Sequence, residues 1–264
     1  MHRLTNLFQH KTADVLNVYF TAGFPQLDDT VGILQALQDA GADLVEIGMP
    51  YSDPVADGET IQKSNQQALE NGMTVGKLFE QLQGIRQQGI TVPILLMGYL
   101  NPVVQFGVER FCQQCQAVGV DGVILPDLPL EVFEREYKAL FARYGLQTVF
   151  LVTPQTAPAR VQQLDAAADG FIYLVAAAGT TGLQTNMNAD VDAYLQRIKA
   201  LGLRNPTLVG FGISDAASFS AASRHTTGAI IGSAFIRLLQ TTPAEQRDAA
   251  IREFVAGVRP LQVA

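Results

Sequence analysis

The chain has 264 residues, 48% of them hydrophobic and 16% charged, which fits a folded α/β protein with a large core and excludes a disordered one. A net charge of −7 argues against nucleic acid or an anionic membrane as partner, because neither is drawn to a negative field. No apolar run follows the basic residues of the first turn, and no stretch approaches the roughly 18 apolar residues that span a bilayer, so a cytoplasmic location is expected.

Taken in chain order, short apolar runs alternate with amphipathic segments. A run at 17–21 precedes a helical pattern at 29–40, then a second run at 42–48 contains Glu46. A helical pattern at 75–88 leads to a run at 93–97, and one at 111–118 leads to a run at 120–126. The pattern at 131–144 is followed by runs at 147–152 and 168–174, and that at 190–201 by runs at 207–210 and 227–232. Runs without polar alternation read as strands covered on both faces, the habit of parallel sheets. Eight such strands at roughly 33 residues per unit, with no Pro/Ser linker between them, predict a single (β/α)₈ TIM-barrel domain over residues 1–264. In that fold the chemistry lies on the loops after the strands.

Glu46 is a charged residue in an otherwise apolar strand, near its C-terminal end. Either it is a core glutamate paired with an Arg or a backbone N–H, or it is a catalytic acid/base whose pKa burial raises toward neutrality. Asp57 follows on a loop stiffened by Pro50 and Pro54. An Asp-Gly pair is most often a turn, but a long proline-fixed loop over the barrel mouth is also a fitting carrier for a functional side chain.

The remaining chemistry-bearing residues narrow the choice. None of His2, His10 and His225 ends a predicted strand, so no metal site is expected. Lys11, Lys63, Lys77, Lys138 and Lys199 all avoid the strands, where a Schiff-base aldolase would need one, and no cofactor is expected. Cys112 and Cys115 lie inside a helical pattern, not at a helix start after a strand, and no second pair completes a zinc site; they read as structural.

Glycine-bearing segments follow the last three strands: Gly179 to Gly182, Gly210-Phe211-Gly212 and Gly232-Ser233. Glycine lets the backbone approach a ligand closely, and a helix opening at Ser233 would offer free N–H groups to an anion. Barrels often bind phosphate at the loops after strands seven and eight. Residues 176–190, small and polar, read either as a lid or as an ordinary surface loop.

The segment from Glu46 through Pro50-Tyr51-Ser52-Asp53-Pro54 to Asp57-Gly58, with Thr60-Ile61-Gln62, resembles the signature of the tryptophan synthase α-subunit family. Leu96-Met97, Asn101-Pro102, Asp127-Leu128-Pro129, Gly210-Phe211-Gly212-Ile213-Ser214 and Gly232-Ser233-Ala234 extend the match over nearly the whole chain. The resemblance implies a barrel that cleaves a small phosphorylated indole substrate, indole-3-glycerol phosphate, to indole and glyceraldehyde 3-phosphate without a cofactor. Glu46 would be the acid/base and Asp57 the anion beside the indole N–H. Gly182, Gly212, Gly232 and Ser233 would hold the phosphate. Tyr19, Ile61, Leu96, Tyr173 and Phe211 would line the indole slot, and Thr181 would fasten the lid to Asp57. The expected partner is a pyridoxal-phosphate-bearing β subunit in an α₂β₂ assembly, facing the loop around Pro50–Pro54 and the helix near Pro102. The lid departs from the family's usual Ser-Arg-X-Gly-Val-Thr-Gly, reading Ala176-Ala177-Ala178-Gly179-Thr180-Thr181-Gly182, which removes two donors. Two rival readings are another phosphate-binding barrel, such as a phosphoribosyl isomerase, and an idle barrel kept to activate a β partner.

Overall fold

The computed structural model describes residues 2–176, 184–210 and 212–259. Eight parallel strands close into a barrel in sequence order: β1 Val15–Thr21, β2 Leu44–Gly48, β3 Ile94–Met97, β4 Gly122–Ile124, β5 Gln147–Val152, β6 Ile172–Val175, β7 Thr207–Gly210 and β8 Gly228–Ile231. The ring closes where β1 pairs with β8, Asn17 opposite Ile230. All eight strands of the sequence reading are present: those at 147–152 and 207–210 have the expected bounds, β1 begins two residues earlier, and the other five are shorter or shifted.

The unbroken apolar runs follow from double burial. One face of each strand packs outward on the helices; Val18, Ile47, Leu96, Val123 and Val209 belong to that outer core. The alternate residues fill the barrel, among them Val15, Leu44, Leu95, Ile124, Phe171 and Ile230. The helix Arg3–His10 closes the floor, with Leu4 inside the barrel cluster and the Phe8 ring 6.0 Å from that of Phe171. Beside it, buried Asp121 pairs with Arg3 and Arg86 and accepts the Ile94 N–H, so this carboxylate is fully partnered.

Helix boundaries follow the caps. The pattern expected over 75–88 is helical only for Val75–Gln81, capped by Thr74, since Gly84 and Gly89 take positive φ and break it. Cys112 and Cys115 are buried within the helix Val108–Val118, which ends at left-handed Gly119, and both thiols are free. Burial pushes the Cys112 thiol up to about 12, consistent with packing and unfit for thiolate chemistry. Among the described residues no helix is long and apolar enough to cross a membrane.

Candidate active site

A cavity of about 710 Å³ opens at the C-terminal ends of the strands, lined among others by Asp57, Tyr173, Gly212, Gly232 and Ser233. Period-two geometry decides which side chains can reach it. Register aligns Tyr19 with Glu46 and Glu46 with Leu95, all directed inward. Glu46 is completely buried, is not itself among the residues that line the cavity, and has no cation as partner among the described residues. Its Oε1 accepts a 2.5 Å hydrogen bond from Asn17 Nδ2, while Oε2 has no partner among the described residues. Burial raises the Glu46 carboxyl to about 8, with the Asn17 bond working in the opposite direction. Among the described residues Glu46 is tied to neither an Arg nor a backbone N–H.

Asp57 reaches the cavity wall from the loop between β2 and the helix Glu59–Glu70. Its N–H bonds Pro54 O at 3.0 Å, and its carbonyl accepts from Gln62 Nε2 at 2.7 Å. Tyr99, just after β3, takes the Ala56 N–H on its phenol oxygen (2.9 Å) and donates to Asp57 Oδ2 (3.3 Å). Partial burial lifts Asp57 to about 6, moderated by the Tyr99 bond.

Two phenols flank these carboxylates. Tyr19 and Tyr173 line the cavity, and burial together with the fields of Glu46 and Asp57 raises both pKa values, so both stay protonated. Each ring lies against a glycine at the end of a neighbouring strand: a Cβ on Gly48 would collide with the Tyr19 phenol oxygen, and one on Gly210 with that of Tyr173. Ile61, from the first turn of Glu59–Glu70, adds an apolar wall with Met97, Leu151 and Ile230.

Leu96 needs a correction. It aligns with Ile47 and Val123 and packs outward in the helix-facing core, so it does not line the cavity. The neighbouring Met97 does. The alternation of β3 puts these two on opposite faces, and a motif match without a register cannot choose between them.

At the far end, Gly212 (φ +76°) turns the chain after β7 in a conformation that favours glycine. Ile213, Ser214, Gly232, Ser233, Ala234 and Arg237 complete that end, where the helix Ser233–Thr241 begins without a side-chain cap. Thr181, Gly182 and Phe211 lie outside the described residues. Among the described residues no three His, Cys, Asp or Glu side chains gather as metal ligands would. Sequence reasoning missed Asn17, Tyr99 and Arg237. Asn17 carried a signal, being a polar residue inside an apolar strand two positions before Tyr19.

The comparisons agree with this geometry. A family model described as tryptophan synthase alpha chain matches residues 5–263. The tryptophan synthase alpha chain of Flavobacterium johnsoniae is 49% identical over 259 residues, covering 98% of this chain and 100% of the relative. That of Parabacteroides distasonis is 51% identical, covering 94% of this chain and 97% of the relative. Among solved structures, the tryptophan synthase subunit alpha of Legionella pneumophila superposes with a TM-score of 0.87 at 29% identity, over 98% of this chain and 97% of that one. A tryptophan synthase chain of M. tuberculosis in an aminoacrylate-bound form gives 0.84 at 29% identity, over 98% and 100% of the two chains. With its barrel and these matches over nearly its full length, the chain belongs to the tryptophan synthase alpha chain family.

Proposed function

We propose that Glu46 and Asp57 together carry the reaction of this family, the retro-aldol cleavage of indole-3-glycerol phosphate to indole and glyceraldehyde 3-phosphate. The activity follows from the family: the chain is a lyase of tryptophan biosynthesis that cleaves indole-3-glycerol phosphate. The single observation supporting the residue assignment is that the two carboxyls are held on opposite sides of neutrality, Glu46 near 8 and Asp57 near 6. At pH 7 one is a proton donor and the other an anion.

Glu46 in its acid form gives its proton to indole C3. With Asn17 Nδ2 bonded to Oε1, that proton resides on the partnerless Oε2. Positive charge then develops at the ring nitrogen, where the Asp57 carboxylate accepts the N–H hydrogen bond. The bond from C3 to the carbinol carbon breaks and its electron pair restores the aromatic ring. The carbinol hydroxyl becomes the aldehyde, and its proton returns to Glu46. The ring is its own electron sink, and this route uses neither a lysine nor a cofactor.

Gly212, Gly232 and Ser233 hold the phosphate through main-chain N–H groups and the start of the helix Ser233–Thr241. Tyr19, Ile61, Tyr173 and Met97 form the indole slot; the expected roles of Phe211 and Thr181 fall on residues outside the described ones. Measuring indole release by wild type, Glu46→Gln and Asp57→Asn tests this assignment. Loss in both variants supports it, and full activity in either removes that residue from the mechanism.

The family works with a β subunit, and we place that contact, in an α₂β₂ assembly, on the loop carrying Val55 and the helix Leu100–Phe106. Val55 (87% exposed) and Val104 (46% exposed) stand out as exposed large hydrophobics among the described residues, and both lie there. Val55→Asp with Val104→Asp should weaken co-purification with the β subunit while leaving isolated indole release intact. Undiminished association of the double variant would move the contact elsewhere.

A further inference from the structure

A cavity that receives a phosphate must offset about two negative charges, yet the residues lining this one include a single cation, Arg237. Arg237 stands four residues after Ser233 in the helix Ser233–Thr241, so the two share a helix face. Helical Cα–Cβ bonds tilt toward the N-terminus, which carries the guanidinium back along the helix toward Ser233 and the turn at Gly212. The guanidinium has no ion pair and no hydrogen bond among the described residues; the one side-chain bond to this residue reaches its backbone carbonyl, from Thr241. The helix has no acidic residue in its first turn and no side-chain cap at Gly232, so nothing in that turn offsets the positive end of the helix dipole.

The two carboxylates lack such a cation. Burial dominates the shifts of Glu46 and Asp57, and no cation contributes to either.

We propose that Arg237 determines specificity for the phosphorylated substrate, its guanidinium pairing with phosphate oxygens beside Ser233 and thereby directing the indole ring toward Asp57. The inference rests on the phosphate placement proposed above. Guanidinium suits this task because its planar fork meets two phosphate oxygens at once. Such a pair acts on binding and orientation, so its loss falls on KM more than on kcat.

The test compares indole release from indole-3-glycerol phosphate and from unphosphorylated indole-3-glycerol, using wild type, Arg237→Gln, Arg237→Lys and Gly232→Ala. The readout is the ratio of kcat/KM for the two substrates. Arg237→Gln should lower that ratio about 10-fold or more, through KM for the phosphorylated substrate, and Arg237→Lys should recover most of it. Equal losses on both substrates would reveal a merely structural arginine and overturn the inference, as would an unchanged ratio. If Gly232→Ala lowers the ratio while Arg237→Gln leaves it intact, only the role of Arg237 fails. If neither variant moves it, the phosphate placement fails as well.

Discussion

Asn17 lies one layer below Glu46 in the barrel, and its Nδ2 donates to Glu46 Oε1 across 2.5 Å. This contact tempers a shift that burial drives upward, and it leaves Oε2 as the oxygen that carries the proton. A side chain outside the family signature therefore sets how the acid is presented.

Replacing Asn17 by Leu should raise the Glu46 pKa further, because the lost bond favours the ionised form. The alkaline limb of kcat/KM against pH, which reports Glu46 losing its proton, should move to higher pH. An alkaline limb that stays in place would disconnect Asn17 from the acid.

The two carboxyls together predict a bell-shaped profile for indole release, rising near pH 6 as Asp57 ionises and falling near pH 8 as Glu46 ionises. Tyr99→Phe removes a bond that lowers the Asp57 pKa, so the acid limb alone should shift upward. A shift of the alkaline limb in place of the acid one would reverse the assignment.

Glu46→Gln should abolish about 10²–10⁴-fold of the activity and also stabilise the fold at alkaline pH. The sign follows from linkage. A carboxyl raised from 4.5 to about 8 in the folded state is no burden below pH 4.5, and it costs stability progressively as pH rises toward 8. Glutamine carries no charge to bury, so at pH 8 its gain should be on the order of 2–4 kcal/mol, and near zero at pH 4. Denaturant melts at the two pH values measure it; equal gains at both would contradict the buried, protonated state.

Leu96 and Met97 should separate packing from function. Leu96→Ala hollows the helix-facing core and should cost about 2–5 kcal/mol in a denaturant melt, with KM of the folded enzyme little changed. Met97→Ala removes a wall of the cavity and should raise KM for the indole substrate. The opposite pattern would place Leu96 in the slot.

Gly48→Ala and Gly210→Ala insert a methyl where the phenols of Tyr19 and Tyr173 lie. Displacing a buried ring should cost about 1–3 kcal/mol and weaken substrate binding, visible together as a lowered melting midpoint and a raised KM. Unaltered KM in both variants would show that the tyrosines do not shape the slot.

The sequence by itself pointed to the barrel, because unbroken apolar runs mark strands buried on both faces and eight of them exceed the five or six usual in an open doubly wound sheet. It also singled out Glu46, since a carboxylate inside such a run has no ordinary reason to be there, and Asp57, through a motif of recognisable spacing. Tertiary structure alone decided that Glu46 faces Asn17 and not an arginine, that Tyr99 steadies Asp57, and that Met97, not Leu96, meets the cavity. Each of these depends on the register between strands distant in sequence, and a slip of one residue exchanges the two faces of a strand, a choice that hydrophobicity leaves open wherever both faces are apolar.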